Sequence, residues 1–447
     1  MDKSLKFYQK IGYGIGNFGY STVSQTLTTL IMFFGTSVAG IPGTLVGLCV
    51  SIGTVWDAVT DPIVGYISDH SNRTSNNRQK FILISGLVMA LSNIILWSVP
   101  LNLPNWQKFL WILISLLVFE TADTFFATPY AALGYELATT KKDDTSIQAV
   151  KSVFYLLGMT APSLLMMIFM KDNTAKLSYI KIALCTSFLI IISTLICVII
   201  LNKNKRKKII INYPKNKHKS SFFHAFLVFF EFFKNKNYLF IIIGYSISTL
   251  ATALLSSLGI HVFTYSFHFT SNQISILLLL LVLGAMLSQP ILSRSANKCG
   301  ITKTLLKYIL ITLVGVGLIA GLFAVRALSP TSVNFILCAL FIFICGFGSG
   351  ALYSLPFAMF SGIIKQENSK SKSNQTATLS GVMTFVFKMS NALSLFIVGA
   401  LLDIIKFDSS QPVQPLKVQN ALGVIMIFGV SISLALSIHF FSKYKSN

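Results

Sequence analysis

Residues 44–66 read TLVGLCVSIGTVWDAVTDPIVGY, an apolar run interrupted near its middle by two aspartates, Asp57 and Asp61. A run of about 20 such residues crosses a bilayer as a helix. An ionised carboxylate at mid-bilayer costs about 3 kcal/mol on insertion scales, so two of them at that depth demand compensation. A bound cation is one form of it. Four residues apart, Asp57 and Asp61 share one helix face. With Thr60 and main-chain oxygens they present hard oxygen ligands for a small monovalent cation, or a carboxylate that takes up a proton.

The rest of the chain has the same character. Of its 447 residues 53% are hydrophobic and only 11% charged, against about 25% charged in an average soluble domain, which excludes a soluble core. Apolar stretches of spanning length recur near 11–36, 44–66, 81–100, 108–134, 148–170, 179–201, 238–265, 272–293, 304–326, 331–358, 376–402 and 419–441. The expected fold is an all-α membrane protein with twelve transmembrane helices in two six-helix halves. An N-terminal bundle covers 1–201 and a C-terminal bundle 238–447. Between them, 202–237 form a basic cytoplasmic linker, in which the aromatic segment Phe222–Phe233 reads as a helix lying in the membrane interface.

The net charge of +22 follows membrane topology. With both termini in the cytoplasm, 27 of the 36 Lys and Arg residues fall in inner segments and seven in outer ones. This is the positive-inside bias, and it orients the chain in a cell membrane with attraction to anionic lipid; no nucleic-acid partner is needed to explain the charge. The six cysteines show no metal-ligand spacing and read as small core residues. No removable signal peptide is expected at the basic N-terminus.

Other charges also lie inside spans. Glu120, Asp123 and Thr124 in the fourth span put two acids at i, i+3, suited to a polar or cationic solute group or a proton relay, or merely to a water-filled crevice. Lys151 in the fifth span suits an anionic contact or a snorkelling role. Lys388, halfway along the eleventh, is placed at a depth where it would neutralise the aspartates when no ion is bound. A static salt bridge among these charges is the alternative. The halves echo one another as well: Asp61-Pro62-Ile63-Val64-Gly65 aligns with Gln289-Pro290-Ile291-Leu292-Ser293, and inverted or parallel repeats are common in secondary transporters.

Gly53, Asp57, Asp61-Pro62, Gly65 and Asp69, followed by Arg73 and Arg78-Gln79-Lys80, resemble the second-helix signature of the glycoside–pentoside–hexuronide cation symporters, the melibiose-permease-like branch of the major facilitator superfamily. Gly14, Gly16, Asn17-Phe18-Gly19, Pro129-Tyr130-Ala131-Ala132-Leu133 and Phe385 with Lys388 extend the resemblance over nearly the whole chain. It implies the major facilitator fold and secondary active symport of a small solute, most simply a glycoside or other sugar, with transported Na+ or H+ and no other cofactor. It further implies that Asp57 and Asp61 are cation-site carboxylates and Lys388 their cationic partner. Asn17, Ser21, Glu120, Asp123, Thr124 and Lys151 become candidates for the substrate pocket, and Gly65, Asp69, Arg73 and Arg78 for a cytoplasmic gate.

The sugar-contacting positions of that family depart here, to Ser21, Ala127 and Ala131. An amphiphile such as a lysolipid, another non-sugar solute, or export driven by proton exchange therefore stay open. The chain lacks a phosphate-binding loop of the Gly-(x)4-Gly-Lys-Ser/Thr type and a His-Glu-x-x-His motif, so an enzyme is not expected. A monomer suffices for this function, and the sequence does not define an oligomeric state.

Overall fold

A computed structural model of the chain describes residues 6–71, 75–137, 141–202, 236–328, 334–360, 363, 376–408, 411 and 413–444. Among the described residues there is no strand. The chain divides into two compact units, Met1–Tyr213 and Pro214–Asn447. The first holds α1 (Phe7–Phe33), α2 (Gly43–Ser71), α3 (Ser75–Trp97), α4 (Asn105–Leu137), α5 (Lys141–Phe169) and α6 (Lys176–Asn202). The second holds α7 (Lys236–Ala253), α8 (Ser271–Cys299), α9 (Ile301–Leu328), α10 (Phe335–Ser349), α11 (Thr376–Ile404) and α12 (Leu416–Ser442). Most of the expected linker, including Phe222–Phe233, lies outside the described residues.

Among the described residues eleven helical spans, one for each of these helices but α1, are long and apolar enough to cross a membrane; those of α7 and α10 run on past the bounds above, over Lys236–Ser266 and Phe335–Phe360. α1 is more polar because it carries Gln9, Lys10, Asn17, Ser21, Thr22, Ser24, Gln25 and Thr26. Several helices overshoot the expected spans: α2 continues to Ser71, α4 begins at Asn105 and α5 at Lys141. A bilayer sets the minimum length of the apolar core and puts no limit on the helix that projects into water.

Both units are packed to the same plan. In the first, α1 lies against α5 and α6, α3 against α4 and α6, and α2 against α4. In the second, α7 lies against α11 and α12, α9 against α10 and α12, and α8 against α10. The first helix of each unit also ends alike, in a wide π-type turn, Phe34–Val38 after α1 and Val262–Ser266 beyond α7. Ala39 N–H closes onto Phe34 O at 2.8 Å and Ile41 N–H onto Gly35 O at 2.9 Å; Phe267 and Phe269 repeat this on Val262 and Phe263 at 2.9 Å each. The residue offset that aligns Asp61 with Gln289 aligns every one of these pairs, so the faint echo in the sequence is a structural repeat.

Small residues set the closest approaches, as expected where apolar lipid gives helices little hydrophobic reason to associate. A Cβ at Gly19 would collide with Ser193 Oγ and come within 3.0 Å of Ile190 Cα on α6. One at Gly158 of α5 would collide with Ser21 Oγ and reach 3.0 Å from the Phe18 carbonyl. α1 is thus held between α5 and α6 at near-backbone distance. Four cysteines, Cys49, Cys197, Cys338 and Cys345, are buried as expected, whereas Cys185 is half-buried and Cys299 is exposed at the end of α8.

Candidate functional site

The charged centre of the first unit lies where α2 meets α4. Gly53, one turn before Asp57, permits the approach: a Cβ there would stand 2.7 Å from Leu116 Cδ2 and 3.6 Å from Glu120 Cγ. Trp56 Nε1 donates to Thr121 Oγ1 at 2.8 Å, which fixes the rotation of α2 against α4. With that rotation set, Asp57 turns toward α4 and is buried.

One carboxylate oxygen from each of Asp57, Glu120 and Asp123 then lies within 4.8 Å of the other two, a geometry able to hold a metal ion. At an effective dielectric of about 20, two unit negative charges at that separation repel by about 3 kcal/mol. Three ionised carboxylates so close require protons or a cation among them.

Two threonines complete the arrangement. Thr124 Oγ1 is 2.7 Å from Asp57 Oδ1 and 2.9 Å from the Glu120 carbonyl. Thr60 Oγ1 is 3.1 Å from Thr124 Oγ1 and 3.1 Å from the Asp57 carbonyl. Each hydroxyl has one proton and two lone pairs, so each donates to one of these acceptors at a time and keeps lone-pair capacity for a cation. Oxygen-only ligands of this kind suit a hard ion.

Asp123 is held from a third helix. Tyr20 Oη donates to its Oδ2 and Ser24 Oγ to its Oδ1, both at 2.9 Å. Nothing in the sequence singles these two out; Ser24 sits in a first span full of hydroxyls, and a Ser or Thr there ordinarily bonds its own helix, as Thr26 does to the Thr22 carbonyl at 2.7 Å.

The other candidates are distributed as follows. Asp61, one turn beyond Asp57 on α2, is half-buried and is not one of the three clustered carboxylates. Asn17 is buried and donates its Nδ2 to the Lys151 carbonyl at 2.9 Å, tying α1 to α5. Ser21 is fully buried beside Gly158 in the same interface, its Oγ 3.2 Å from the Phe18 carbonyl. Lys151 is half-buried, with its ammonium 5.8 Å from the centre of the Tyr130 ring, within cation–π range. A Cβ at Gly65 would stand 3.8 Å from Thr128 Cγ2, and Arg78 is buried near the start of α3. The Asp69 side chain and Arg73 lie outside the described residues. Lys388 is half-buried in α11, in the second unit. An apolar groove of about 550 Å³ on α2, α3 and α4, lined by Trp56, Phe81, Ile84, Leu117, Thr121 and Phe125 among others, includes none of the clustered acids.

The family model described as MFS/sugar transport protein matches residues 12–447. The chain belongs to this family. It is accordingly a multi-pass membrane transporter of the major facilitator superfamily and not an enzyme.

Among its relatives, the uncharacterized symporter YjmB of Bacillus subtilis is 24% identical over 98% of this chain and 91% of its own length. The uncharacterized symporter sll1374 of Synechocystis is 31% identical, over 35% of this chain and 30% of its own length. The sodium-dependent lysophosphatidylcholine symporter 1-A of Danio rerio is 28% identical, over 35% of this chain and 29% of its own length. This chain thus spans only about a third of the last two. The crystal structure of the nucleoside transporter NupG superposes with a TM-score of 0.67 at 16% identity, covering 98% of this chain and all of that one, and shares its fold.

Proposed function

We propose that the chain is a cation-coupled symporter of the cell membrane, with both termini in the cytoplasm. It takes Na+ or H+ at Asp57, Glu120 and Asp123 with Thr60 and Thr124, and carries a small solute, a glycoside or other sugar, by alternating access. The observation that carries this reading is the approach of three carboxylates to within 4.8 Å between α2 and α4. Their mutual repulsion makes the cluster a thermodynamic acceptor for one positive charge, and a cation that binds one conformer better than another shifts the population toward it. Symporters among the full-length relatives support the direction of coupling, and the excess of Lys and Arg in the inner segments supports the orientation. Asp61 adjoins the site on the same helix face, and Lys388 is the candidate counter-charge for the ion-free state.

A second reading concerns the solute alone. With Ser21 packed into the α1–α5 interface and alanines at 127 and 131, the sugar-contacting pattern of the resembled family is missing. Part of the chain is similar to a symporter named for lysophosphatidylcholine. An amphiphile carried by the same cation machinery fits these two facts.

Purified protein in liposomes, given labelled galactoside, glucoside, hexuronide and lysophosphatidylcholine in turn under imposed sodium or proton gradients, separates these possibilities. Accumulation driven by an inward sodium or proton gradient is the expected result. Uptake that ignores both gradients refutes coupling, and accumulation driven by an outward proton gradient identifies an exchanger instead.

A further inference from the structure

We infer that α1 is the element that senses the charge state of the acid cluster, and that Tyr20 and Ser24 are the positioning residues through which it does so. The inference rests on the proposed cation site.

Tyr20 and Ser24 are one helical turn apart and point the same way. Between them they bond both oxygens of Asp123, each at 2.9 Å. The bond to Tyr20 is continued by stacked rings: Tyr20 on Phe126 at 5.3 Å and 8°, Phe126 on Tyr130 at 5.5 Å and 23°, Tyr130 on Tyr13 at 4.4 Å and 5°. The last pair is clasped in both directions, since Tyr13 Oη donates to the Tyr130 carbonyl at 3.1 Å and Tyr130 Oη donates to the Tyr13 carbonyl.

The backbone of α1 packs on α5 and α6, and these side chains are its bridge to α4. Such a bridge can be made and released without repacking the bundle. While Asp123 carries its full negative charge, two hydroxyl donors are held against it by charge-assisted hydrogen bonds. A cation arriving beside Asp57 and Glu120 offsets that charge, so the hold on α1 weakens. The coupling is reciprocal: whatever displaces α1, including a solute bound against it, changes the affinity of the cluster for its cation by the same factor.

The test uses the full chain in nanodiscs and no solute. Thr28 is exposed on α1, two turns from Tyr20 on the same face, and Thr28→Cys reports the state of the helix through its rate of maleimide labelling. Sodium is titrated against choline at fixed pH, followed by a pH step, with the sodium- or proton-induced rise in Tm recorded in parallel. In the Thr28→Cys background the ion is expected to change the labelling rate by about tenfold, a typical coupling factor. Adding Tyr20→Phe, which keeps the ring stack, together with Ser24→Ala removes that change, while Tm still responds to the ion. Replacing Ser24→Ala by Ser24→Thr in that variant restores part of it.

If the ion raises Tm but labelling is insensitive to it, or if the double variant retains the full change, α1 is not the sensor and the cation site stands. If neither sodium nor protons move Tm in the parent, the cation site and the sensor fall together.

Discussion

Thr124 of α4 hydrogen-bonds Asp57 of α2 at 2.7 Å across 67 residues of sequence, a direct link between the two helices that build the acid cluster. The same hydroxyl lies 3.1 Å from Thr60, so a single side chain orders both the charged and the neutral oxygens of α2.

Thr124→Val keeps the shape of that side chain and deletes its oxygen. Asp57 Oδ1 loses the Thr124 donor in a buried setting, a loss of about 1–3 kcal/mol. The half-saturating cation concentration for uptake is expected to rise about tenfold or more, with Thr124→Ser returning it close to the parent value. An unchanged half-saturation in the valine variant would remove Thr124 from the site.

Gly53 tests whether the cluster depends on helix approach. In Gly53→Ala the new methyl meets Leu116 Cδ2 at 2.7 Å and Cγ at 2.9 Å, which pushes α2 away from α4. Overpacking of this kind costs about 1–3 kcal/mol, and here it also spreads the carboxylates. Both Tm and cation affinity should fall in Gly53→Ala and recover together in the double variant with Leu116→Ala. Recovery of Tm without recovery of affinity would separate packing from ion binding.

What the sequence made legible was set by composition and periodicity. The spans follow from apolar length, and the shared face of Asp57 and Asp61 from their spacing. The Asp61–Gln289 alignment anticipated a repeat that reaches down to the hydrogen bonds closing the π-type turns. Which helix lies opposite that face is a tertiary fact. It depends on Gly53 meeting Leu116 and on Trp56 bonding Thr121, and neither has a periodic signature. From the sequence Asp57, Asp61, Thr60 and Lys388 read as the cation set and Glu120, Asp123 and Thr124 as a solute contact or proton relay, whereas the fold brings Asp57, Thr60, Glu120, Asp123 and Thr124 together. Tyr20 and Ser24 were invisible for a related reason, because a hydroxyl that crosses between helices and one that bonds its own helix look the same in one dimension. Asn17 and Ser21 are pocket candidates through the family resemblance alone; in the fold Asn17 bonds the Lys151 carbonyl and Ser21 lies against Gly158, both between α1 and α5.

Asn93 supplies a contrast away from the cluster. It is fully buried, its Nδ2 lies 3.0–3.2 Å from the Ala183 carbonyl, Thr186 Oγ1 and Ser187 Oγ, and its Oδ1 accepts from Trp97 Nε1 at 2.9 Å. Asn93→Leu unpairs the indole and removes the Asn93 links between α3 and α6, leaving the bond from Ser187 Oγ to the Ala90 carbonyl. Interhelical hydrogen bonds in membranes contribute about 1–2 kcal/mol each at most, so Tm should drop. Cation half-saturation should stay at the parent value, because none of these groups belongs to the cluster.

The sharpest separation lies between the two aspartates with which the sequence began. Asp57 is one of three mutually repelling carboxylates and Asp61 is outside that set, so neutralising them should have different consequences for stability. Asp57→Asn keeps an acceptor for Thr124 and removes a charge that repels each of the other two by about 3 kcal/mol at an effective dielectric of about 20. The ion-free protein should therefore become more stable, and the rise in Tm with sodium or with acid should shrink or vanish, because ligand stabilisation requires a site that binds. Asp61→Asn removes none of the three clustered charges and should preserve most of the ion-dependent rise. Equal behaviour of the two variants in a thermal-shift titration would mean that the cation is shared along the face of α2 and not held between α2 and α4.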